Sequence, residues 1–260
     1  AFTGNKFEFR AVGSSANCGG PMTTLNVIVA EVLRDLHKDI EKEMEAGKEK
    51  KIAIVDVLRK YIKESKKIRF EGDGYSEEWA KEAQKRGLSN FKSTPEALDV
   101  YTKKSTKQLF EKHKVLNHIE VHARHEIELE AYIKKVQIES RVMGDLALNH
   151  IIPTAILYQN KLIENANGLK GLGLDHIAAV DSIKEISKHL ASLQSDVNAM
   201  TEARKQLNKE EDVTKRAKGY QSKVKEAYFD KIRYAVDKLE LLVDDESWPL
   251  VKYRELLFIR

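Results

Sequence analysis

The chain is poor in cysteine, proline and aromatic residues, and it has no long apolar run. Its single cysteine, Cys18, cannot form a disulfide within the chain, which agrees with the reducing environment of the cytoplasm. No apolar stretch approaches the ~20 residues of a membrane-spanning helix, so we expect no membrane association. Four prolines and 7% aromatic residues, against 33% charged residues, favour long helices lined by solvent.

An excess of charge of one sign is also lacking. The chain has 45 basic and 41 acidic residues, a formal net charge of +4, and both signs are interspersed along the sequence. Interspersed charges cancel at short range, so we expect no basic stripe suited to nucleic acid. With 260 residues, 42% of them hydrophobic, the chain can bury a sizeable core in one or two domains.

Apolar residues recur at helical spacing over almost the whole chain after Pro21. One helix is predicted from Pro21 to a stop at Gly47, and a second one ends near Ser65. Between residues 107 and 168 the pattern is nearly continuous. A kink is expected at Pro153, because its ring removes a backbone hydrogen bond and clashes with the preceding turn. The fold class predicted from these patterns is mainly α.

The most regular apolar pattern predicts a helical hairpin near the carboxyl end. Spacings of three and four alternate from Ile177 to Leu207, which is typical of a coiled-coil-like seam. A second stripe, from Val224 to Leu242, is the expected antiparallel partner. The charged residues 208–218 between the two stripes are expected to form a solvated connection. We therefore predict long antiparallel helices in a bundle that contains this hairpin.

Strand-like alternation occurs at the start of the chain. Successive side chains of a strand point to opposite faces, so Lys6, Glu8 and Arg10 would share one face, backed by an apolar row. Such a row is typical of one wall of an anion and metal site, and an exposed salt-bridged strand is the alternative. Residues 1–12 have no candidate partner strand downstream. We predict one orphan β-strand that belongs to a larger polypeptide.

The start, middle and end of the sequence resemble a known enzyme family. Residues 6–21 carry Lys-Phe-Glu-Phe-Arg, a small-residue turn and a helix start, and this run is similar to the Arg-x-Glu-x-Arg strand and following helix of the glutamine synthetases. The spelling of residues 2–18 resembles the large type III branch of that family. The ending, residues 244–258, and the middle segments 137–141 and 149–153 also resemble that branch.

This resemblance implies an ATP-dependent ligase that joins ammonia to L-glutamate through γ-glutamyl phosphate. In the family, the glutamate of the Glu-x-Arg pair ligates a divalent metal, and the following arginine contacts the transferred phosphate and the substrate carboxylate. By this resemblance Glu8 is the ligand of Mg²⁺ or Mn²⁺, and Arg10 is the catalytic and substrate-binding residue. Lys6 replaces the family's usual arginine and is a further substrate-binding candidate, with the charge kept and the forked donors lost.

The resemblance also implies a division of the chain and an assembly state. Residues 1–47 would be the carboxyl-terminal end of the catalytic domain, and residues 48–260 a helical extension. We expect the chain alone to be inactive and the full enzyme to form a large homo-oligomer, with the extension in a structural role. An all-helical structural or oligomerisation module without catalysis is the alternative.

Three other features have both a functional and a structural interpretation. His118, His122 and His125 share a helix face at a spacing that could bind zinc, but no fourth ligand motif is visible, so a solvated polar face is favoured. Residues 168–173 resemble a phosphate-binding loop but follow no strand, so a helix connector is favoured. Cys18 has no placed histidine partner and is predicted to be a small buried residue rather than a nucleophile.

Overall fold

The computed structural model describes residues 16–258, and all regular secondary structure in this range is helical. The prediction of a mainly α fold is therefore confirmed. The predicted orphan strand, residues 1–12, lies outside the described residues. None of the helices described is long and apolar enough to cross a lipid bilayer.

The described part of the chain contains eleven α-helices, together with two 3₁₀ turns and two π-helical segments. The α-helices are α1 (Gly19–Glu45), α2 (Lys50–Glu64), α3 (Glu77–Lys85), α4 (Thr94–Leu98), α5 (Lys104–Lys112), α6 (His118–Leu146), α7 (Ile152–Gly171), α8 (Ile177–Leu207), α9 (Val213–Tyr220), α10 (Asp230–Leu242) and α11 (Tyr253–Leu256). The 3₁₀ turns are Ser65–Ile68 and Asp99–Thr102, and the π-helical segments are Ala147–Ile151 and Gln221–Phe229.

The helices divide into two compact units. The first unit holds the described residues up to 90 and residues 101–122. The second unit holds residues 91–100 and the described residues from 123 onward. The boundary predicted between residues 47 and 48 stays a prediction.

In the first unit, α1 and α2 pack against each other across a tight turn. Gly47 ends the turn of α1 with a φ of 94°, a conformation that glycine adopts without strain. Two ion pairs join the helices: the Lys60 ammonium lies 3.0 Å from Asp39, and the Lys48 ammonium lies 2.9 Å from Asp56. The predicted helix from Pro21 to Gly47 is therefore confirmed to within two residues at each end.

The second unit is built on the predicted hairpin. Helix α8 packs against α7, and it also packs against α10 and the π-helical segment Gln221–Phe229. Asn208 contacts Tyr220 and His189 contacts Tyr234, so the two arms run antiparallel. The core positions shared by the arms are Ile186, Leu193, Val197, Met200, Val224, Ile232, Ala235 and Leu239. The sequence analysis predicted these positions as the seam of the hairpin, from apolar spacings of three and four residues.

The connection between the arms differs from the prediction. Only residues 208–212 form a turn, and α9 starts at Val213. The side chain of Asp212 accepts a hydrogen bond of 2.9 Å from the backbone N–H of Lys215 and so caps this helix. Ala217 and Gly219 are buried, so the helix is held by packing although three of its eight residues are charged. The prediction of a solvated connection over 208–218 is wrong for residues 213–218.

The long pattern between residues 107 and 168 is also interrupted. α5 ends at Lys112, and Lys114 has a φ of 54°, which no α-helix accommodates. Further on, residues 147–151 are π-helical, and Pro153 lies in the first turn of α7. Because Pro153 has no N–H to donate to the preceding turn, the local change of helix type falls where the kink was expected.

Candidate functional site

The three predicted site residues, Lys6, Glu8 and Arg10, lie outside the described residues. Their roles in metal and substrate binding therefore stay predictions. The described chain starts at residue 16, and α1 is the nearest element in sequence to these residues.

The start of α1 is fixed by local hydrogen bonds. The side-chain oxygen of Asn17 accepts a bond of 2.7 Å from the backbone N–H of Gly19, the first residue of the helix. The hydroxyls of Thr23 and Thr24 donate to the carbonyls of Gly19 and Gly20 at 2.9 and 3.0 Å. These bonds place the beginning of a long helix within ten residues of the predicted site.

Helix α1 carries an apolar face that the described residues leave uncovered. Large side chains on it are between 44% and 58% exposed to solvent. They are Met22, Ile28, Val29, Val32 and Leu33. Contiguous exposed apolar residues of this kind are typical of a contact surface rather than of a free surface.

A charged network lies beside this face in the first unit. Glu31 of α1 forms ion pairs with Lys112 and with His113, whose Nε2 lies 2.7 Å from the carboxylate. Arg34 Nη2 lies 3.0 Å from the same carboxylate. One carboxylate thus joins three basic groups and links α1 to the end of α5. The network holds the helices together around Val27 and Phe110, which are buried.

The second unit has an apolar groove between α6 and α10, with a cavity volume of about 590 Å³. Val142, Ile232 and Trp248 are among its lining residues, and Arg233 and Asp237 form an ion pair of 2.6 Å beside them. The remaining lining residues are Ile138, Glu139, Met143, Leu146, Ile151, Phe229, Val236, Glu240, Leu250 and Val251. Most of this lining is apolar, and it lacks serine, cysteine, lysine and histidine side chains, so it suits binding of an apolar surface better than catalysis.

A buried tyrosine lies in the same unit. Tyr132 donates a hydrogen bond to the side-chain oxygen of Gln221. Burial, together with the nearby carboxylates of Glu226 and Glu139, raises the pKa of Tyr132 to about 12. The neutral hydroxyl of Tyr132 thus links α6 to the π-helical segment Gln221–Phe229.

The three histidines do not form one solvated face. His118 is exposed, with Nδ1 3.7 Å from Glu111, and His122 is exposed. His125 is only 4% exposed and lies on the buried stripe of α6 that continues at Leu129. The expectation of a solvated face is therefore wrong for His125, because the core-facing side of α6 includes its position. Among residues 16–258, no three histidine, cysteine or acidic side chains come together as a metal site.

Two other features can be compared with the structure. Cys18 is exposed rather than buried, because it precedes α1 and the described residues place nothing against the start of that helix. Gly168 and Gly171 are part of α7, and Gly173, with a φ of 73°, follows its end. The backbone N–H of Leu174 donates to the carbonyl of Leu169, as in a Schellman cap, which confirms the helix connector.

The groove of the second unit is a feature that the sequence reasoning missed. Ile138 and Val142 lie four residues apart on α6, but off the stripe that continues from Leu129 through Ile133. The sequence signal that could have predicted the groove was this second apolar pair, which lies at helical spacing beside the main stripe.

Comparison with known proteins identifies the family. The family model described as the glutamine synthetase C-terminal domain matches residues 53–170. A glutamine synthetase of Bacteroides fragilis is 47% identical over 266 aligned residues, which cover 100% of this chain. The chain belongs to the glutamine synthetase family.

Two further relatives agree with this membership. The type-3 glutamine synthetase of Dictyostelium discoideum is 34% identical over 275 residues, and a glutamine synthetase of Butyrivibrio fibrisolvens is 28% identical over 260 residues. The chain spans about a third of the length of these relatives: 36% of the Bacteroides and Dictyostelium proteins and 37% of the Butyrivibrio protein. The prediction of a carboxyl-terminal part of a glutamine synthetase, with its likeness to the type III branch, is confirmed.

Proposed function

We propose that this chain is part of an enzyme that joins ammonia to L-glutamate at the expense of ATP, through γ-glutamyl phosphate. The observation that supports the proposal is the 47% identity, along the whole chain, to a protein named glutamine synthetase. The chain by itself is proposed to be inactive, because it spans only 36% of that relative and would supply only a single predicted strand of the site. A cytoplasmic location, as expected from the single cysteine, is part of this proposal.

In this proposal Glu8 holds Mg²⁺ or Mn²⁺. The chemistry of the donor supports the assignment, because a carboxylate oxygen is the hard ligand that these small divalent cations prefer. The cation would neutralise the negative charge of the nucleotide phosphates. Residues 16–258 gather no competing set of three ligands.

Arg10 and Lys6 supply the positive charge of the same strand. The planar fork of Arg10 can donate two parallel hydrogen bonds to a phosphate or to the carboxylate of glutamate, which fixes the orientation of the bound group. Lys6 offers a point charge without that fork, so it attracts an anion but orients it less. Positioned cations of this kind stabilise the charge that moves during phosphoryl transfer.

The test is the substitution Glu8→Gln in the full-length enzyme. We expect turnover to fall by about two or more orders of magnitude with the fold unchanged, because the amide keeps the shape of the side chain and removes the charge that binds the metal. Turnover is measured as phosphate release in the presence of glutamate, ammonia and ATP. Glu45→Gln, an exposed glutamate at the end of α1, is the matched control. Unchanged turnover in Glu8→Gln would refute the assignment.

A second proposed function concerns the helical extension. We infer that its helices, packed as a bundle in the complete enzyme, make contacts between copies of this polypeptide in a large homo-oligomer. The apolar groove between α6 and α10 favours this inference, because large exposed apolar patches mark contact sites. Light scattering of full-length variants altered in this groove tests it.

A further inference from the structure

A small polar cavity lies where the tip of the hairpin meets α6, within the second unit. Its volume is about 250 Å³. Helix α6 supplies most of the lining, and the others come from the end of α8 and from α9. The lining residues are Glu130, Ile133, Lys134, Gln137, Asn208 and Arg216. A volume of this size is below the ~300 Å³ at which pockets for drug-sized ligands begin, so it suits a small ion or molecule.

Arg216 is the residue of this cavity whose hydrogen bonding is incomplete. Its Nε atom is buried and has no hydrogen-bond partner among the described residues. Its Nη1 atom donates a long bond of 3.4 Å to the backbone carbonyl of Glu210. A guanidinium is always charged, and a buried donor without an acceptor is more unfavourable when it carries charge. A hydrogen-bond acceptor that enters the cavity and reaches Nε therefore stabilises the buried guanidinium of Arg216.

The amide groups of the cavity are oriented to donate. The side-chain oxygen of Asn208 accepts a bond of 2.6 Å from the Tyr220 hydroxyl and one of 3.2 Å from Gln137 Nε2. Two donors on the carbonyl side fix the orientation of the Asn208 amide, and they leave its nitrogen as the atom that can serve a ligand. The cavity thus combines a guanidinium, an ammonium and an amide donor.

The balance of charge around the cavity favours an anion. Lys134 and Arg216 are cationic, and the carboxylate of Glu130 is exposed and lies one helical turn before Lys134 on the same face of α6. The hydroxyl of Tyr220 lies close to positive charges at this end of the hairpin. Burial raises its pKa, while the positive charges of Arg204, Arg141 and Arg216 act in the opposite direction.

From these contacts we propose that the cavity binds a free tetrahedral oxyanion, of which inorganic phosphate is the physiological example. The anion accepts hydrogen bonds from Nε of Arg216 and from Asn208, and Lys134 adds a second positive charge. The site joins α6, α8 and α9, so its occupation ties the tip of the hairpin to the rest of the unit. Water alone in the cavity is the competing outcome.

Crystals of the full-length enzyme soaked in selenate, a tetrahedral oxyanion with an anomalous signal, test the position. We expect an anomalous peak within hydrogen-bond distance of Arg216 in the wild type and no peak there in Arg216→Gln. Arg59→Gln, which removes an exposed arginine paired with Asp56 in α2, is the matched control and should keep the peak. A wild-type cavity without a peak, or a peak that persists in Arg216→Gln, would overturn the proposal.

Titration with inorganic phosphate in solution tests the chemistry, with chloride at equal ionic strength as the blank. Phosphate should raise the thermal stability of the wild type, and Arg216→Gln should remove a component of this stabilisation that corresponds to about tenfold weaker binding. Arg59→Gln should behave as the wild type. Lys134→Met should weaken the same component, and it serves where Arg216→Gln does not fold. Equal phosphate dependence in the wild type and in both cavity variants would contradict the proposal.

Discussion

Gly219 lies so close to Leu207 that its lack of a side chain determines how α9 meets the end of α8. A Cβ atom built at position 219 would be 2.3 Å from Cδ2 of Leu207. The neighbours Ala217 and Tyr220 are fully buried, so Leu207 has little room to move aside. The glycine is therefore required for close packing here, although its φ is an ordinary helical one.

We expect Gly219→Ala to lower the free energy of unfolding by about 1–3 kcal/mol, because Leu207 must leave its rotamer to admit the methyl group. The midpoint of urea unfolding, followed by circular dichroism, measures the change. Gly168→Ala makes the same substitution in α7, where open space surrounds the position, and should stabilise by about 0.5–1 kcal/mol. Equal midpoints for Gly219→Ala and the wild type would show that Leu207 repacks at no cost.

Single residues were also where sequence reasoning failed most often. His125 and Cys18 have opposite environments from those predicted, the first buried and the second exposed. A periodic pattern gives the phase of a helix only to within about one residue position, so a polar residue at the edge of the stripe can fall on either side. The exposure of Cys18 depends on what lies against the start of α1, which the local sequence does not encode.

At the scale of elements, the hairpin was predictable and its tip was not. Apolar spacings of three and four alternate over the 31 residues from Ile177 to Leu207, and the buried positions of α8 follow this alternation. Helix α9 has only eight residues, which is too short for an apolar repeat to show. Its cap at Asp212 was a readable signal, but one cap without a following apolar stripe predicts a helix poorly.

The start of α6 has a stronger signal, a reciprocal capping box. The side chain of Asn117 accepts from the backbone N–H of Glu120 at 2.9 Å, and the carboxylate of Glu120 accepts from the backbone N–H of Asn117 at 2.8 Å. Val115 and Leu116 continue the helical spacing of the apolar residues around them. The sequence pattern therefore did not show that α5 ends before the capping box of α6. The local conformation of Lys114 overrides the apolar pattern there.

We expect Asn117→Ala to destabilise the first turn of α6 by about 1 kcal/mol, because the backbone N–H of Glu120 loses its side-chain acceptor. Amide hydrogen exchange of residues 118–122 measures the effect locally, as a loss of protection. Asn117→Asp keeps an acceptor oxygen at the same place and should retain the protection. If Asn117→Ala and Asn117→Asp exchange equally, the capping box does not hold this turn.

For the whole molecule, the central question is which apolar surface becomes covered in the assembled enzyme. Ile138 and Val142 of the groove are 62% and 52% exposed, so acidic residues there cost little in an isolated copy. If the groove contacts another copy, an acidic side chain buried in that contact is strongly unfavourable. A measurement of the oligomeric state therefore distinguishes a groove that stays exposed from a groove that contacts another copy.

We expect the double variant Ile138→Asp and Val142→Asp in the full enzyme to shift the oligomer toward smaller species, measured by light scattering. Ile127→Asp is the control, since Ile127 is 61% exposed on the same helix but does not line the groove. Removal of everything after Gly47 is a coarser test of the same idea. An unchanged oligomer in both experiments would rule out a role of the extension in assembly.

For the candidate catalytic site, the sequence was enough to predict the family but not the geometry. The spelling of residues 2–18 indicated the family, which the comparisons bear out along the whole chain. The roles of Glu8 and Arg10 stay predictions, because the chain spans only 36% of the Bacteroides relative. No periodicity within this chain carries that information.

Each compact unit draws on two separate stretches of sequence, and the family model's residues 53–170 run through both. A single cleavage of the backbone therefore cannot separate the two units cleanly. Limited proteolysis after residue 90 would leave residues 101–122 of the first unit on the larger product, and proteolysis after residue 122 would leave residues 91–100 of the second unit on the amino-terminal product. Junctions for gene fusions and domain exchanges within this family are better placed outside residues 91–122, and also away from the edges of the family model, because residues 53 and 170 lie inside α2 and α7.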